Sequence, residues 1–311
     1  METKTGRKEK GPGRPVKIAA LVIFLLCLLS ALVPTVQEAW KSLYRLVGLA
    51  ETPPSGFTVH FLDVGSADAA LLSFDGSAVL VDSGTYDSGR EIVRYLHRME
   101  IQNLALAVNT HPDNDHLGGM AEVIGEFPPA QFWEPEMPEG LIPDTEEYRL
   151  LRTCLNEKRI PVEKVSAGKQ FSFGPAEIEV LGPTQPGSTS NNNSLILMIT
   201  CYGKRLLMMG DAEEEEEEQV LGESLDCDVL KVGHHGSNTS TGRKLLKWAS
   251  PEYAVISAGE RQPANEKVLQ RLEENEIQVF QTNEVGTVVL TIQESGLSFS
   301  TQNHNDLSSK N

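Results

Sequence analysis

The stretch that decides the fold is THPDNDHLGG, residues 110–119, where two histidines and two aspartates fall within six positions. The segment before it, LALAVN (104–109), is apolar and predicts a buried strand. Imidazoles and carboxylates gathered in a tight loop after a strand are typical of a metal site. We favour that interpretation over a polar loop with capping aspartates. A calcium loop of the EF-hand type is disfavoured because its final glutamate is missing.

The spacing within this loop predicts which side chains share an ion. The four side chains can converge on one point or on two adjacent points, so that His111 and Asp113 can face one metal and Asp115 and His116 a second. The carboxylates shift the preference from zinc toward harder ions such as Mn²⁺. The glycine pair at 118–119 lets the backbone turn, so that a helix can begin close to the metals.

Two later segments supply what a two-metal site still requires. The strand-like LLMMGD (206–211) ends on Asp211, and LKVGHHGS (230–237) ends in the pair His234 and His235. A carboxylate at one strand end can bridge two ions, and an imidazole at another can complete the ligands of the second ion. Three separate segments therefore lead to the same prediction, a binuclear metal centre.

The surrounding pattern predicts an α/β domain with helices on the faces of its sheets. From Phe57 onward, short strand-like blocks alternate with amphipathic helical ones such as SGREIVRYLHRME (88–100). Residues 127–143 are rich in proline and glutamate and are predicted to form a loop. The run Glu213–Glu218 is predicted to be the solvated face of a helix, near the helix N-terminus.

Six motifs, taken in order, resemble the metallo-β-lactamase superfamily. They are FLDVGSADAALL (61–72), VDSG (81–84), THPDNDHLGG, NNNSLILMI (191–199), MMGDAE (208–213) and DVLKVGHHGS (228–237). More narrowly, the series is similar to the branch that contains the extracytoplasmic nuclease-like domain of ComEC-type DNA-uptake (competence) proteins. The resemblance implies a four-layer αββα sandwich with metals at one edge, between the two sheets.

The resemblance also implies a ligand set of two divalent ions, zinc or manganese. It puts His111 and Asp113 on the first metal, Asp115 and His116 on the second, and Asp211 between both. Asp113 stands where the wider superfamily has a histidine, and this separates the chain from ordinary lactamases.

One histidine of the late motif completes the second metal in this scheme. His235 is slightly preferred, which leaves His234 near the substrate, and both stay open as ligands. Asn191, Asn192 and Asn193 stand where the wider superfamily often has a first-metal histidine, so that metal is expected to be held weakly. The supporting residues are Asp63, Asp82, Asn192 and Asn193, and the catalytic ones are Asp115, Asp211 and His234.

The N-terminal region predicts a membrane attachment. Residues 1–17 carry six basic and two acidic side chains, a net +4, which leaves −21 for the rest because the total is −17. The next sixteen residues, 18–33, are uncharged and apolar. A positive flank stays in the cytoplasm, so we expect a single-pass cell-membrane protein with its main domain outside, or a secreted one if the segment is cleaved. The predicted divisions are a basic tail (1–17), an anchor or signal (18–36), a linker (37–55), the hydrolase domain (56–301) and a polar tail (302–311).

The predicted activity is hydrolysis of a phosphodiester by a hydroxide held between two cations. DNA or a smaller phosphodiester is the expected substrate, although the acidic body argues against binding nucleic acid through a basic patch. Alternatives are an amide or ester (lactam-type) hydrolase and a metal-binding sensor without turnover. Departures from the family pattern at Ser66, Ala67 and Gln262 favour the sensor. No obligate protein partner is expected.

Overall fold

A computed structural model describes residues 56–222, 225–302 and 304–307, the last four as backbone only. The predicted basic tail, anchor and linker, residues 1–55, lie outside the described residues. Within the ranges described, no helix combines the length and the apolar character that crossing a bilayer requires.

The described residues form sixteen strands and eight α-helices. The strands are β1 (Phe57–Phe61), β2 (Ala70–Phe74), β3 (Ser77–Val81), β4 (Asn103–Val108), β5 (Phe132–Pro135), β6 (Val162–Val165), β7 (Gln170–Phe173), β8 (Ala176–Gly182), β9 (Ile196–Cys201), β10 (Lys204–Met208), β11 (Val229–Lys231), β12 (Tyr253–Ile256), β13 (Gln278–Gln281), β14 (Val288–Gln293), β15 (Gly296–Thr301) and β16 (His304–Leu307). The helices are α1 (Ser88–Arg98), α2 (Asn114–Leu117), α3 (Met120–Glu126), α4 (Glu146–Lys158), α5 (Glu214–Val220), α6 (Arg243–Ala249), α7 (Glu266–Glu274) and α8 (Thr282–Val285).

The strands make two sheets. The first has the order β16-β15-β14-β1-β2-β3-β4-β5-β6 and the second the order β13-β12-β11-β10-β9-β8-β7. In the first sheet β3 to β6 run parallel, with α1, α3 and α4 in the crossovers. In the second sheet β10 to β13 run parallel, with α5, α6 and α7 in the crossovers.

Both faces of each sheet are buried, as strand β3 illustrates. Val79 and Val81 belong to the core between the two sheets, which also contains Ile178 of the second sheet. Ala78 and Leu80 point the other way and pack against the helical layer. Successive side chains alternate between faces, so a continuous apolar run is what a strand between two cores requires. A third core joins the second sheet to its own helices. The predicted α/β fold with four layers is therefore confirmed.

Two segments differ from the sequence-based expectation. The predicted loop at 127–143 contains strand β5, because Phe132 and Trp133 are fully buried and pair with β4 despite the flanking prolines and glutamates. The predicted polar tail contributes the edge strand β16, which pairs with β15. Main-chain hydrogen bonds hold an edge strand, and a polar sequence supplies them as well as an apolar one does.

The glutamate run forms helix α5, as predicted, but the prediction that it is a solvated face is wrong for Glu216 and Glu217, which are buried. Glu216 accepts a hydrogen bond from the backbone of Ser194 (3.2 Å), and Glu217 accepts from the backbone of Thr241 and of Gly242 (2.9 Å for Gly242). Burial raises the pKa of Glu216 to about 9 and that of Glu217 to about 7. These two side chains therefore hydrogen-bond α5 to the segment before β9 and to the residues before α6.

Candidate metal centre

The ligand-type side chains follow strands that end at one edge of the sandwich. Asp82 follows β3, the loop 110–119 follows β4, and Asp211 and His235 follow β10 and β11. The carboxyl ends of parallel strands meet at the same edge of a sheet, which is where α/β folds place their sites. The loops that follow strands of the first sheet therefore meet those that follow strands of the second sheet at this edge of the sandwich.

Asp211 lies at the centre of the group and faces four imidazoles, of which His234 is the most exposed. Its Oδ1 is 3.2 Å from Nε2 of His116, and its Oδ2 is 3.9 Å from Nε2 of His111 and 3.6 Å from Nε2 of His235. Asp113 Oδ2 lies 3.7 Å from Nε2 of His111, and Asp115 Oδ2 lies 3.5 Å from Nε2 of His235. The predicted pairing of each aspartate with a different side of the centre matches these distances.

The residues present fit a metal ion, because the atoms that face one another lack other partners. Nε2 of His111, His116 and His235 and Oδ1 of Asp211 are buried without a hydrogen bond among the described residues. Buried polar atoms are almost always satisfied, so such a group calls for a further partner. Ligand atoms of His111, His116 and Asp211 lie within 4.8 Å of one another, as do those of Asp115, His116 and His235. Imidazole with carboxylate is a donor set for divalent transition metals.

Charge coupling across the centre shifts its pKa values strongly. Burial favours neutral imidazoles, yet the carboxylates of Asp211 and Asp82 outweigh it and raise the pKa of His116 well above its usual value. Burial opposes the charged form of His235 too, but Asp211, Asp115 and Asp68 raise its pKa to about 10. Burial raises the pKa of Asp211, but His116 and His235 lower it by more. The net result is a pKa well below its usual value. Such groups exchange protons for a cation, so metal binding here is expected to release protons.

Asp82 lies beneath the metal loop, where the sequence analysis puts a supporting residue. Its Oδ2 is 2.9 Å from Nδ1 of His116. The backbone N–H of Thr110 donates to Oδ1 (2.7 Å), and the hydroxyl of Thr110 donates to Oδ2 (2.7 Å). Asn109 donates a further bond to Oδ1 (3.3 Å). A carboxylate on Nδ1 leaves Nε2 of His116 directed at the metal position.

The asparagine motif holds its own loop rather than the metal position. Asn193 donates to the carbonyl of Thr189 (2.6 Å), and Asn192 accepts from the backbone of Glu213 (3.1 Å). Only Asn191 faces the centre, with its Nδ2 3.5 Å from Nε2 of His234. The predicted supporting residues Asn192 and Asn193 therefore stabilise the loop that closes the side of the site.

The two histidines of the late motif lie in different environments. His235 is mostly buried and directs Nε2 at Asp115 and Asp211. His234 is 28% exposed, with Nε2 3.8 Å from Asp211 and Nδ1 3.5 Å from Glu213. This arrangement agrees with the preference for His235 as a ligand and for His234 at the substrate side.

Of the two aspartates in the first motif, Asp68 lies in the cluster and the predicted supporting residue Asp63 does not. Asp63 is exposed, and its Oδ1 accepts only from the backbone of Gly65 (3.4 Å), away from the cluster. Asp68, which the sequence analysis missed, is buried beside His235 and Lys231. The lysine within the mostly apolar segment CDVLKVG (227–233) could have indicated such a residue, because a buried lysine requires a carboxylate partner.

Comparison with known proteins identifies the family. A model of the metallo-beta-lactamase superfamily matches residues 62–260. The chain belongs to the metallo-β-lactamase superfamily. Its members are usually metal-dependent hydrolases, and a His/Asp cluster compatible with a divalent metal is what this member presents.

The curated relatives confirm the predicted branch. The chain is 28% identical to ComE operon protein 3 of Bacillus subtilis over 74% of its own length and 32% of that protein. It is 28% identical to competence protein ComA of Neisseria gonorrhoeae over 67% of its length and 28% of that protein. The chain thus spans about a third or less of the curated relatives it matches.

A solved structure supports the fold independently. The metallo-beta-lactamase fold protein YhfI from Bacillus subtilis aligns with a TM-score of 0.52 at 10% identity, over 75% of this chain and 99% of that one. At that identity the similarity concerns the fold alone.

Proposed function

We propose that this protein is a binuclear metal-dependent hydrolase that cleaves phosphodiester bonds. The observation that carries the proposal is Asp211, a buried carboxylate that faces His111, His116 and His235, whose Nε2 atoms have no hydrogen-bond partner among the described residues. Bound divalent ions would supply Lewis-acid stabilisation of a phosphoryl oxygen and an activated water.

The positions of the residues assign each of them to one ion or to the substrate. His111 and Asp113 would hold one ion, and Asp115, His116 and His235 the other, with Asp211 between them. His234 lies at the exposed rim beside Asn191 and Glu213, where it can donate a hydrogen bond to an oxygen of the substrate. The buried ligands His111, His116 and Asp211 would exclude water from one side of the cations and place them in a low-dielectric setting.

The charge of the donor set favours phosphodiesters over lactams. Three of the proposed ligands are aspartates, Asp113, Asp115 and Asp211, and none has a lysine or arginine partner among the described residues. Divalent cations would offset their negative charge. Carboxylate-rich sites suit hard cations, which bind phosphate oxygens well.

The competence relatives make DNA the first substrate to test. We further propose that residues 18–36 anchor the chain in the cell membrane with the domain outside the cytoplasm. The basic flank of the segment, residues 1–17, agrees with that orientation.

The test uses the purified full-length protein with zinc or manganese, on linear DNA, bis-p-nitrophenyl phosphate and nitrocefin. We expect turnover of the diester substrates, and we expect Asp211→Asn to lower both metal content and rate by at least about a hundredfold. Glu218→Gln, which changes an exposed carboxylate on α5, is the matched control and should leave both unchanged.

Three results would contradict the proposal in different ways. Full activity in Asp211→Asn would exclude the two-metal site. Hydrolysis of nitrocefin alone would support the lactam-type alternative. Tight metal binding with no turnover on any substrate would support a sensor.

A further inference from the structure

A buried lysine lies directly behind the metal centre. Lys231 is only 2% exposed, on strand β11, and its Nζ is 2.9 Å from Oδ2 of Asp68. The same ammonium group donates to the carbonyl of Val232 (3.1 Å). A charge inside a protein is expensive unless it is paired and hydrogen-bonded, so this lysine and Asp68 depend on each other.

The other oxygen of Asp68 faces the metal ligands. Its Oδ1 is buried, has no hydrogen-bond partner in the part of the chain that the structure describes, and lies 3.5 Å from Nδ1 of His235. Burial raises the pKa of Asp68, but Lys231 and His235 outweigh it, so the net shift is downward and the group is ionised. Asp68 is therefore a carboxylate that is fixed at one oxygen and directed at a histidine with the other.

The surroundings of His235 determine which of its nitrogens can bind a cation. Nδ1 lies 3.2 Å from the carbonyl oxygen of Ser257 and 3.5 Å from Asp68. Both neighbours are acceptors, so Nδ1 donates toward them and Nε2 is the nitrogen left to bind a cation. Nε2 faces Asp115 and Asp211, the side on which the metal would lie.

His116 has an equivalent arrangement on the opposite sheet. Its Nδ1 faces Asp82, and neutral donors from Thr110 and Asn109 hold that carboxylate. Asp68, Asp82 and His116 also have ligand atoms within 4.8 Å of one another. Each of the two imidazoles thus has its own carboxylate behind it, and the one behind His235 is held by a charged donor.

We propose that Lys231 and Asp68 position His235 as a metal ligand and thereby set the affinity of the centre for the cation that His235 holds. The inference rests on the proposed metal centre. It assigns Asp68 and Lys231 as positioning residues, which act on the metal through His235 without contacting the substrate.

The experiment separates positioning from simple structural support. In the full-length protein, Asp68→Leu and Lys231→Met each leave an unpaired buried charge, and each should lower the denaturant midpoint. The double variant removes both charges, so its midpoint should return toward the wild-type value. Metal affinity, measured by competition with a chelating dye, should nevertheless remain about 10- to 100-fold weaker in the double variant.

Two further variants complete the design. Asp68→Asn keeps the shape of the side chain and loses the charge beside His235, so it should weaken metal binding while circular dichroism reports an intact fold. The exposed pair Lys244 and Glu218, changed to methionine and glutamine, is the matched control and should leave metal affinity unchanged.

Wild-type metal affinity in both the double variant and Asp68→Asn would overturn the inference. A wild-type protein that binds no metal would instead overturn the proposed function, and the positioning role would fall with it.

Discussion

At the scale of one residue, Glu216 makes the stability of the protein depend on pH. Burial raises the pKa of this carboxyl from 4.5 to about 9. Between those values the folded protein holds a proton that the unfolded chain releases, so this group lowers stability as pH rises. The slope is up to about 1.4 kcal/mol per pH unit.

Replacing Glu216 with glutamine removes that titration and keeps the shape of the side chain. Glu216→Gln should therefore unfold at a higher urea concentration than the wild type at pH 7.5, with a smaller difference at pH 5.5. Glu218→Gln, on the exposed side of the same helix, is the control. Equal pH dependence in wild type and Glu216→Gln would show that Glu216 is ionised in the folded protein.

The sequence analysis named Asp211 and the residues of the metal loop, but it missed Asp68 and Lys231. His111, Asp113 and His116 lie within one loop, so their spacing indicated a shared role. Asp68 lies just before β2 and Lys231 lies on β11, and the two meet because these strands belong to different sheets that pack face to face. The spacing of residues along the sequence does not predict a contact between two residues of different sheets.

At the scale of elements, the glycines at the end of the metal loop are required by close packing and not by an unusual backbone conformation. Gly118 and Gly119 have φ values of −56° and −83°, which any residue adopts. A Cβ atom on Gly119 would lie 2.4 Å from the carbonyl oxygen of Ser83 and 2.7 Å from the backbone nitrogen of Gly89. The glycines were expected to let the backbone turn, but their φ values require no glycine. What excludes a side chain at position 119 is the neighbouring segment that leads into α1.

Gly119→Ala should therefore push α2 and its ligands away from the first sheet. We expect a loss of about 1–3 kcal/mol in the free energy of unfolding, together with weaker metal binding, by denaturant titration and dye competition. Gly125 in α3 has open space around it, so Gly125→Ala should stabilise by about 0.5–1 kcal/mol. Equal effects of the two substitutions would contradict the packing argument.

The helices were easier to predict than the strand order. The apolar spacing in 88–100 indicated α1 directly, because a helix is defined by contacts between near neighbours in sequence. The pairing of β1 with β14, in which Phe57 faces Ile292, depends on residues at opposite ends of the domain. Only the resemblance to a known fold implied that two such sheets would form.

At the scale of the whole molecule, bound metal should raise thermal stability. A ligand that binds the folded form alone contributes about 2.7 kcal/mol at a hundred times its Kd. Zinc or manganese should therefore raise the melting temperature, and a chelator should lower it, in differential scanning fluorimetry. Asp211→Asn should respond to neither, and a metal-dependent shift of wild-type size in that variant would place the ion elsewhere.

The position of the centre between two sheets also affects how quickly the protein unfolds. An ion held by Asp115 and His116 from one sheet and by Asp211 and His235 from the other would join distant parts of the chain. Such ligands come together only when both sheets are in place, late in folding, so the ion is expected to slow unfolding far more than it speeds folding. The lifetime of the folded state, and with it resistance to proteases that cleave opened chains, would then follow the supply of metal around the protein.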